Sequence, residues 1–443
     1  MNLAQQLWPD SARIAADGHL WIADCDTLRL AQQYATPLYL FDAATIRAMC
    51  RSYRQAFGAA YADAGEVSIH YASKALLNTG IARLIASEGL GLDVVSGGEL
   101  FVALRAGLAP ERIHLHGNAK PRAELEQAIQ AHVGQIVVDN LDELALLAAL
   151  TAGLPMPQPI ALRLTPGVAP DTHHHIQTGQ ADSKFGLPLE AFEQAVQLIM
   201  SAPGLYLVGL HVHLGSQIFD MQPYVRAIQV LLDCSRMLQQ HFGLSIAELN
   251  LGGGIGVAYI DTQPAPNLTE YASTIGQALR QGCAKRGLRL PRLGIEPGRS
   301  IVARAGVALY SIVSRKFLAQ STDSQAASAY LHLDGGMADN LRPALYAARY
   351  TALLANRALD AASQHVHLSG RYCESGDVLV RDLMLPEAQP GDLIALAVAG
   401  AYTLSMASNY NLTPRPAVLL LEQGQVQLLQ RRETYADLVS RDA

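Results

Sequence analysis

Lys74 closes the run Tyr71-Ala72-Ser73-Lys74 at the end of a β-type segment. A lysine there is costly to bury unless paired or deprotonated, and an amine held near neutrality is what Schiff-base chemistry requires. Alone, it reads equally well as a strand-end lysine reaching solvent. Leu251-Gly252-Gly253-Gly254-Ile255-Gly256 offers a second chemistry, because successive glycines let backbone N–H groups approach a phosphate with no Cβ in the way. Glu296-Pro297-Gly298-Arg299 offers a third. A carboxylate beside a pyridine nitrogen keeps that nitrogen protonated, which a plain phosphate site does not need. An amine, a phosphate cradle and a carboxylate together describe a site for pyridoxal 5'-phosphate (PLP).

Two further segments add candidates. His211-Val212-His213-Leu214-Gly215-Ser216 places two histidines two apart, on one face of a strand. No Cys or His cluster supports them and the run at 173–175 reads as a loop, so a metal is not expected. His213 fits stacking on a flat cofactor, Ser216 fits a phosphate contact, and His211 reads as a core histidine. Cys373-Glu374-Ser375-Gly376-Asp377 sets a thiol among acids in a loop-like segment, where either a proton donor or a small buried side chain is consistent.

The elements that must position these residues alternate. Strand-like runs occur at 67–74, 91–97, 113–120, 135–140, 159–166, 207–215, 248–254 and 292–299, with amphipathic helical patterns between them. Eight βα units predict a (β/α)8 barrel of the TIM type, assigned here to residues 45–310. Lys74, Asn118, Asp139, Arg163, His213, the glycines and Glu296 all fall at C-terminal strand ends, the active face of such a barrel. From 311 to 443 the texture becomes short alternating runs, an all-β domain of sandwich or barrel type. Residues 20–44, with the early runs HLWIAD and TPLYLFD, are expected to pair into it, and 319–328 reads as an exposed loop.

The 443 residues carry a formal charge of -6 with half of them hydrophobic, enough for two cores and no basic face for a nucleic acid. Five scattered cysteines without a CxxC pair read as reduced thiols. The N-terminal residues lack a signal-peptide pattern and no stretch is long enough for a membrane span, so a soluble, cytoplasmic protein is expected.

The motifs YASKA, DVVSGGEL, HGNAK, TG…SKFG, HVHLGSQ, GGGIG, EPGR, DGGM, RPALY, CESGD and AYTLSMASNYN occur in this order over roughly residues 35–420. Together they resemble the PLP-dependent decarboxylases of the alanine-racemase-like fold. RPALY, CESGD and MASNYN resemble the diaminopimelate decarboxylase family more than ornithine or arginine decarboxylases. The resemblance implies that Lys74 bonds the cofactor, Glu296 partners its ring nitrogen and His213 stacks on the ring. It implies a phosphate cradle of Gly253, Gly254, Pro297, Gly298 and Arg299, with Arg299 reaching a substrate carboxylate instead or as well. Arg342, Tyr346 and Glu374 would recognise the distal end of the substrate, Tyr402 would touch cofactor and substrate, and Cys373 would donate a proton. Cys373 and Glu374 would reach the partner subunit's barrel, making the active form a homodimer with shared sites. The implied reaction is decarboxylation of meso-2,6-diaminopimelate to L-lysine, the last step of lysine biosynthesis.

Alternatives are a related decarboxylase acting on another amino acid or a siderophore or carrier-bound intermediate, a racemase, and a non-catalytic PLP-binding regulator. The sequence departs from the family pattern at Leu76, at Asp334-Gly335-Gly336-Met337-Ala338-Asp339 and at Arg371-Tyr372.

Overall fold

All eight predicted strands form, and they pair in parallel and in chain order. They are β1 (Val67–Ala72), β2 (Gly91–Val94), β3 (Ile113–Leu115), β4 (Gln135–Val138), β5 (Gln158–Thr165), β6 (Leu205–His211), β7 (Glu248–Asn250) and β8 (Arg292–Ile295). The ring closes where β8 meets β1, with Gly294 opposite Ser68, so the expected barrel is present. These are features of a computed structural model that describes residues 3–62, 65–168, 183–319 and 327–443. The histidine run at 173–175, the TG of TG…SKFG and most of the 319–328 segment lie outside the described residues.

Local chemistry starts the barrel helices at strand ends. Asn78 accepts from the Ile81 N–H at the start of α1 (Thr79–Ser87), Ser96 from Glu99 at the start of α2 (Gly97–Arg105), and Asn140 from Glu143 at the start of α4 (Leu141–Thr151), with α3 (Arg122–Gln130) between them. Each side-chain oxygen satisfies an N–H that the first turn cannot, worth about 1 kcal/mol per cap. Further on come α5 (Phe192–Ser201), α6 (Gln222–Phe242) and α7 (Leu268–Arg286). The last two end on Gly243 and Gly287 in the left-handed conformation that glycine takes without strain.

Two compact units divide the chain. One comprises Met49–Gly256 and Pro266–Gly298 and contains the barrel; the other comprises Met1–Ala48, Val257–Ala265 and Arg299–Ala443. The second is built on β9 (Gly306–Phe317), which pairs antiparallel with Leu38–Asp42, Ala329–Leu333 and Leu393–Leu396. TPLYLFD therefore joins this sheet as expected. HLWIAD does not: its strand Leu20–Ile22 sits in a separate three-stranded sheet with Arg13–Ile14 and Cys25–Asp26. Tight pairing to its sequence neighbours satisfies that strand locally. No helix among the described residues is long and apolar enough to cross a membrane.

Candidate active site

Within the barrel, Lys74 occupies a single turn, Ser73–Ala75, immediately after β1. Glu296 follows β8 and is 4% exposed, a burial that forbids an unpaired charge. Its Oε1 accepts from Asn250 Nδ2 at 2.8 Å and lies 3.2 Å from His116 Nε2, while its Oε2 lies 3.2 Å from His211 Nε2. Burial pushes this carboxyl up, but the charges of His116 and His211, each 3.2 Å away, outweigh it and hold Glu296 well below the usual carboxylate range. His211, read from the sequence as a core histidine, is buried, and the partner that satisfies it is Glu296. The donor atoms of His116, His211 and Glu296 lie within 4.8 Å of one another; His211 is hydrogen-bonded to Glu296, whereas His116 Nε2 has no hydrogen-bond partner among the described residues.

His116 also lies 3.6 Å from Asp93 Oδ1. Burial lowers the His116 imidazole, yet Asp93 and Glu296 reverse this and raise it above its ordinary value. His213 differs. Burial first, then the charges of Lys74 and Arg163, keep it well below its ordinary value and hence neutral. Its Nδ1 accepts from the Gly253 N–H at 3.3 Å, which leaves the proton on Nε2.

The glycine run is shaped by close packing. A Cβ on Gly253 would run into the Glu296 carbonyl, and one on Gly254, at φ +113°, into the Gly215 carbonyl. Gly298 packs where a Cβ would lie 3.0 Å from the Ala72 side chain. The loop after β6, which carries Ser216, is held to this run by Ile218 N–H donating to Gly254 O at 2.9 Å, and Tyr224 Oη donates to Gly253 O at 2.8 Å. Buried Ser73 Oγ and Asp93 Oδ1 have no hydrogen-bond partner among the described residues. A side-chain-free backbone cradle, a neutral flat imidazole, an anionic carboxylate and orphaned polar atoms fit PLP.

In the second unit, Arg299 and Arg342 are 7% and 6% exposed and converge on one atom. Arg299 Nη1 donates to Tyr259 Oη at 2.7 Å and Arg342 Nη1 donates to the same oxygen at 3.0 Å. The Arg299 guanidinium also lies 4.6 Å from the Tyr402 ring centre, and Tyr402 holds φ +57°, a strained value for a non-glycine residue. Tyr346 ends the short helix Arg342–Tyr346. Cys373 and Glu374 are exposed, with Cys373 N–H donating to Asn411 Oδ1 and Tyr410 Oη donating to Glu374 Oε1 at 2.6 Å. Asp377 anchors their loop from below through the N–H groups of Met337 and Tyr372. In the departing DGGMAD segment, Asp339 accepts from the Tyr39 and Tyr310 hydroxyls and Asp334 from the Thr36 hydroxyl. Burial raises Asp339 to about 6, and the contacts of both aspartates are structural.

Sequence reasoning did not single out Asp93, His116, Asn250 or Tyr259. Three of these lie within recognised motifs or strands, and the signal that could have found them is the H-x-H of β3 and the Glu-x-Asn of β7, polar residues repeating at the strand period.

The family model described as "Pyridoxal-dependent decarboxylase, pyridoxal binding domain" matches residues 43–303. A diaminopimelate decarboxylase of Bacillus subtilis (strain 168) is 44% identical over 427 residues, covering 96% of this chain and 95% of that protein. Another from Synechocystis sp. is 41% identical, covering 99% of this chain and 93% of that one. The crystal structure of diaminopimelate decarboxylase from M. jannaschii in complex with L-lysine superposes with a TM-score of 0.89 at 33% identity, covering 98% of both chains.

Proposed function

Because this chain belongs to the diaminopimelate decarboxylase family of PLP-dependent enzymes, we propose that its residues divide the decarboxylation of meso-2,6-diaminopimelate to L-lysine and carbon dioxide as follows. PLP, when bound, supplies an electron sink for the pair left on the α-carbon as carbon dioxide departs. Lys74 anchors the cofactor through its amine. Gly253, Gly254, Pro297, Gly298 and Ser216 hold the phosphate, and Arg299 reaches either that phosphate or the substrate. Glu296 keeps a proton on the pyridine nitrogen, and neutral His213 lies against the ring. Cys373 delivers the proton that replaces the lost carboxylate. Arg342, Tyr346 and Glu374 take the unreacting end of the substrate, with Tyr402 touching substrate and cofactor. The active form is a homodimer in which Cys373 and Glu374 complete the partner subunit's site, and the enzyme works in the cytoplasm as the last step of lysine biosynthesis.

One observation carries the substrate assignment. Two buried guanidiniums meet at a single phenol, and Arg342 Nε has no hydrogen-bond partner among the described residues. That is a receptor for a second carboxylate, which lysine and ornithine lack at their far end when they bind as substrates. Wild type should prefer meso-diaminopimelate strongly over lysine and ornithine, and Arg342→Ala should lose most of that preference. Carbon dioxide release gives kcat/KM for all three. A wild type favouring lysine or ornithine overturns the substrate assignment and leaves the PLP decarboxylase intact.

A further inference from the structure

We infer that Tyr259 is a positioning residue for the substrate's second carboxylate: its phenol oxygen spaces the Arg299 and Arg342 guanidiniums so that one carboxylate engages both. This rests on the proposed role of Arg342 and extends it to a residue that touches neither reacting atom nor cofactor.

Both guanidiniums donate to one oxygen, so their nearest nitrogens are no more than about 6 Å apart, with both side chains buried. Two like charges so placed repel and would splay without an acceptor between them. The phenol is that acceptor. Burial pushes its pKa up, and the two positive charges with their hydrogen bonds outweigh burial and bring it below its ordinary value, as expected of an oxygen that accepts from both donors. The ring is itself held. It packs edge-on to Tyr350 at 5.2 Å and 82°, while the Tyr259 backbone N–H donates to Gln263 Oε1 at 3.0 Å and the backbone carbonyl accepts from Thr351 Oγ1 at 3.2 Å. Arg342 lies 4.9 Å from its ring centre and Arg299 5.9 Å.

What this arrangement leaves unsatisfied points to a ligand. Arg342 Nε is buried and unpartnered among the described residues, and a phenol offers one oxygen where a guanidinium edge presents two parallel donors. A carboxylate supplies the second oxygen. Tyr259 therefore holds the pair ready for an anion without neutralising it as an aspartate would.

The test uses Tyr259→Phe holoenzyme, which keeps the ring and its stacking and removes only the oxygen. Decarboxylation at one carbon leaves the other centre of the substrate intact, so L-lysine retains the carboxylate that this clamp would hold. Cadaverine is the same chain without it. In Tyr259→Phe, KM for meso-diaminopimelate should rise about tenfold with a smaller effect on kcat, and inhibition by L-lysine should weaken by a similar factor. Inhibition by cadaverine should stay within about twofold, which also certifies that the variant is folded. Unchanged KM and lysine inhibition overturn the inference, as does equal weakening for all three ligands, the signature of a packing role. Arg342→Ala separates the levels. If it abolishes discrimination and Tyr259→Phe leaves it intact, only the role of Tyr259 is wrong; if Arg342→Ala changes nothing, the underlying carboxylate site is wrong.

Discussion

At the scale of single residues, the barrel's chemistry depends on opposite treatments of its buried polar groups. His213 is left neutral by burial and two nearby cations, whereas Glu296 is forced to stay ionised by two imidazoles and an amide. A carboxylate that remains anionic while 4% exposed is suited to hold a proton on a neighbouring ring nitrogen, which a neutral amide cannot do. Glu296→Gln keeps the shape and the Asn250 and histidine neighbours but removes the charge. Turnover should fall by about a hundredfold or more, while PLP affinity, which the proposed function assigns mainly to Lys74 and the phosphate cradle, should change little. Steady-state kinetics with a cofactor titration separates the two. A variant with wild-type kcat would reduce Glu296 to a structural pair for His116 and His211.

At the scale of elements, alternation along the barrel strands explains which polar residues meet. Positions two apart share a face, so His114 and His116 on and after β3, Glu248 and Asn250 on β7, and Gly294 and Glu296 on and after β8 line up in successive layers. Glycines make the room: a Cβ on Gly91 would strike the His70 ring, and one on Gly294 would strike Asn250. His70 stacks on His114 at 3.6 Å between ring centres, and burial holds its imidazole down at about 4. Between its ordinary 6.5 and about 4, the unfolded chain binds a proton that the folded chain refuses. The contribution of this residue is therefore full above 6.5 and lost as pH falls through that window, by on the order of 3 kcal/mol. Urea unfolding of wild type and His70→Asn from pH 7.5 to 4.5 should show wild type losing its advantage by a comparable amount; parallel curves would mean that His70 is protonated in the fold. The same geometry decides what sequence could reveal. Lys74 and Glu296 announce themselves because strand ends are where a barrel works, and β-type runs alternating with capped helices disclose the eight units. His116 and Asn250 look like core residues in strands of three, because which layer they join depends on register across the whole ring. Tyr259 is legible only once Arg299 and Arg342, distant in sequence, are found on its oxygen.

At the scale of the whole molecule, the residues proposed to act on one substrate are divided between two units of the chain and, in the reading advanced here, between two chains. Lys74, His213 and Glu296 belong to the barrel unit, and Cys373 and Glu374 to the second unit. Both of the latter are exposed, on a loop whose conformation is fixed in advance by Asp377 beneath and by Tyr410 and Asn411 at its rim. A thiol that must protonate carbon gains nothing from exposure to water, so a rigid, exposed loop is the arrangement expected if another surface covers it. If that surface is the partner subunit's barrel, Lys74→Ala and Cys373→Ala chains should each be nearly inactive as homodimers and recover activity together. A hybrid dimer then has one site with both residues intact and one with neither. With equal mixing and random exchange, half the dimers are hybrids and each has one working site, so activity should reach about a quarter of wild type. Activity measured against time after mixing, with exchange followed by native mass spectrometry of tagged chains, tests this. Complete exchange without recovery would place Lys74 and Cys373 in the site of a single subunit.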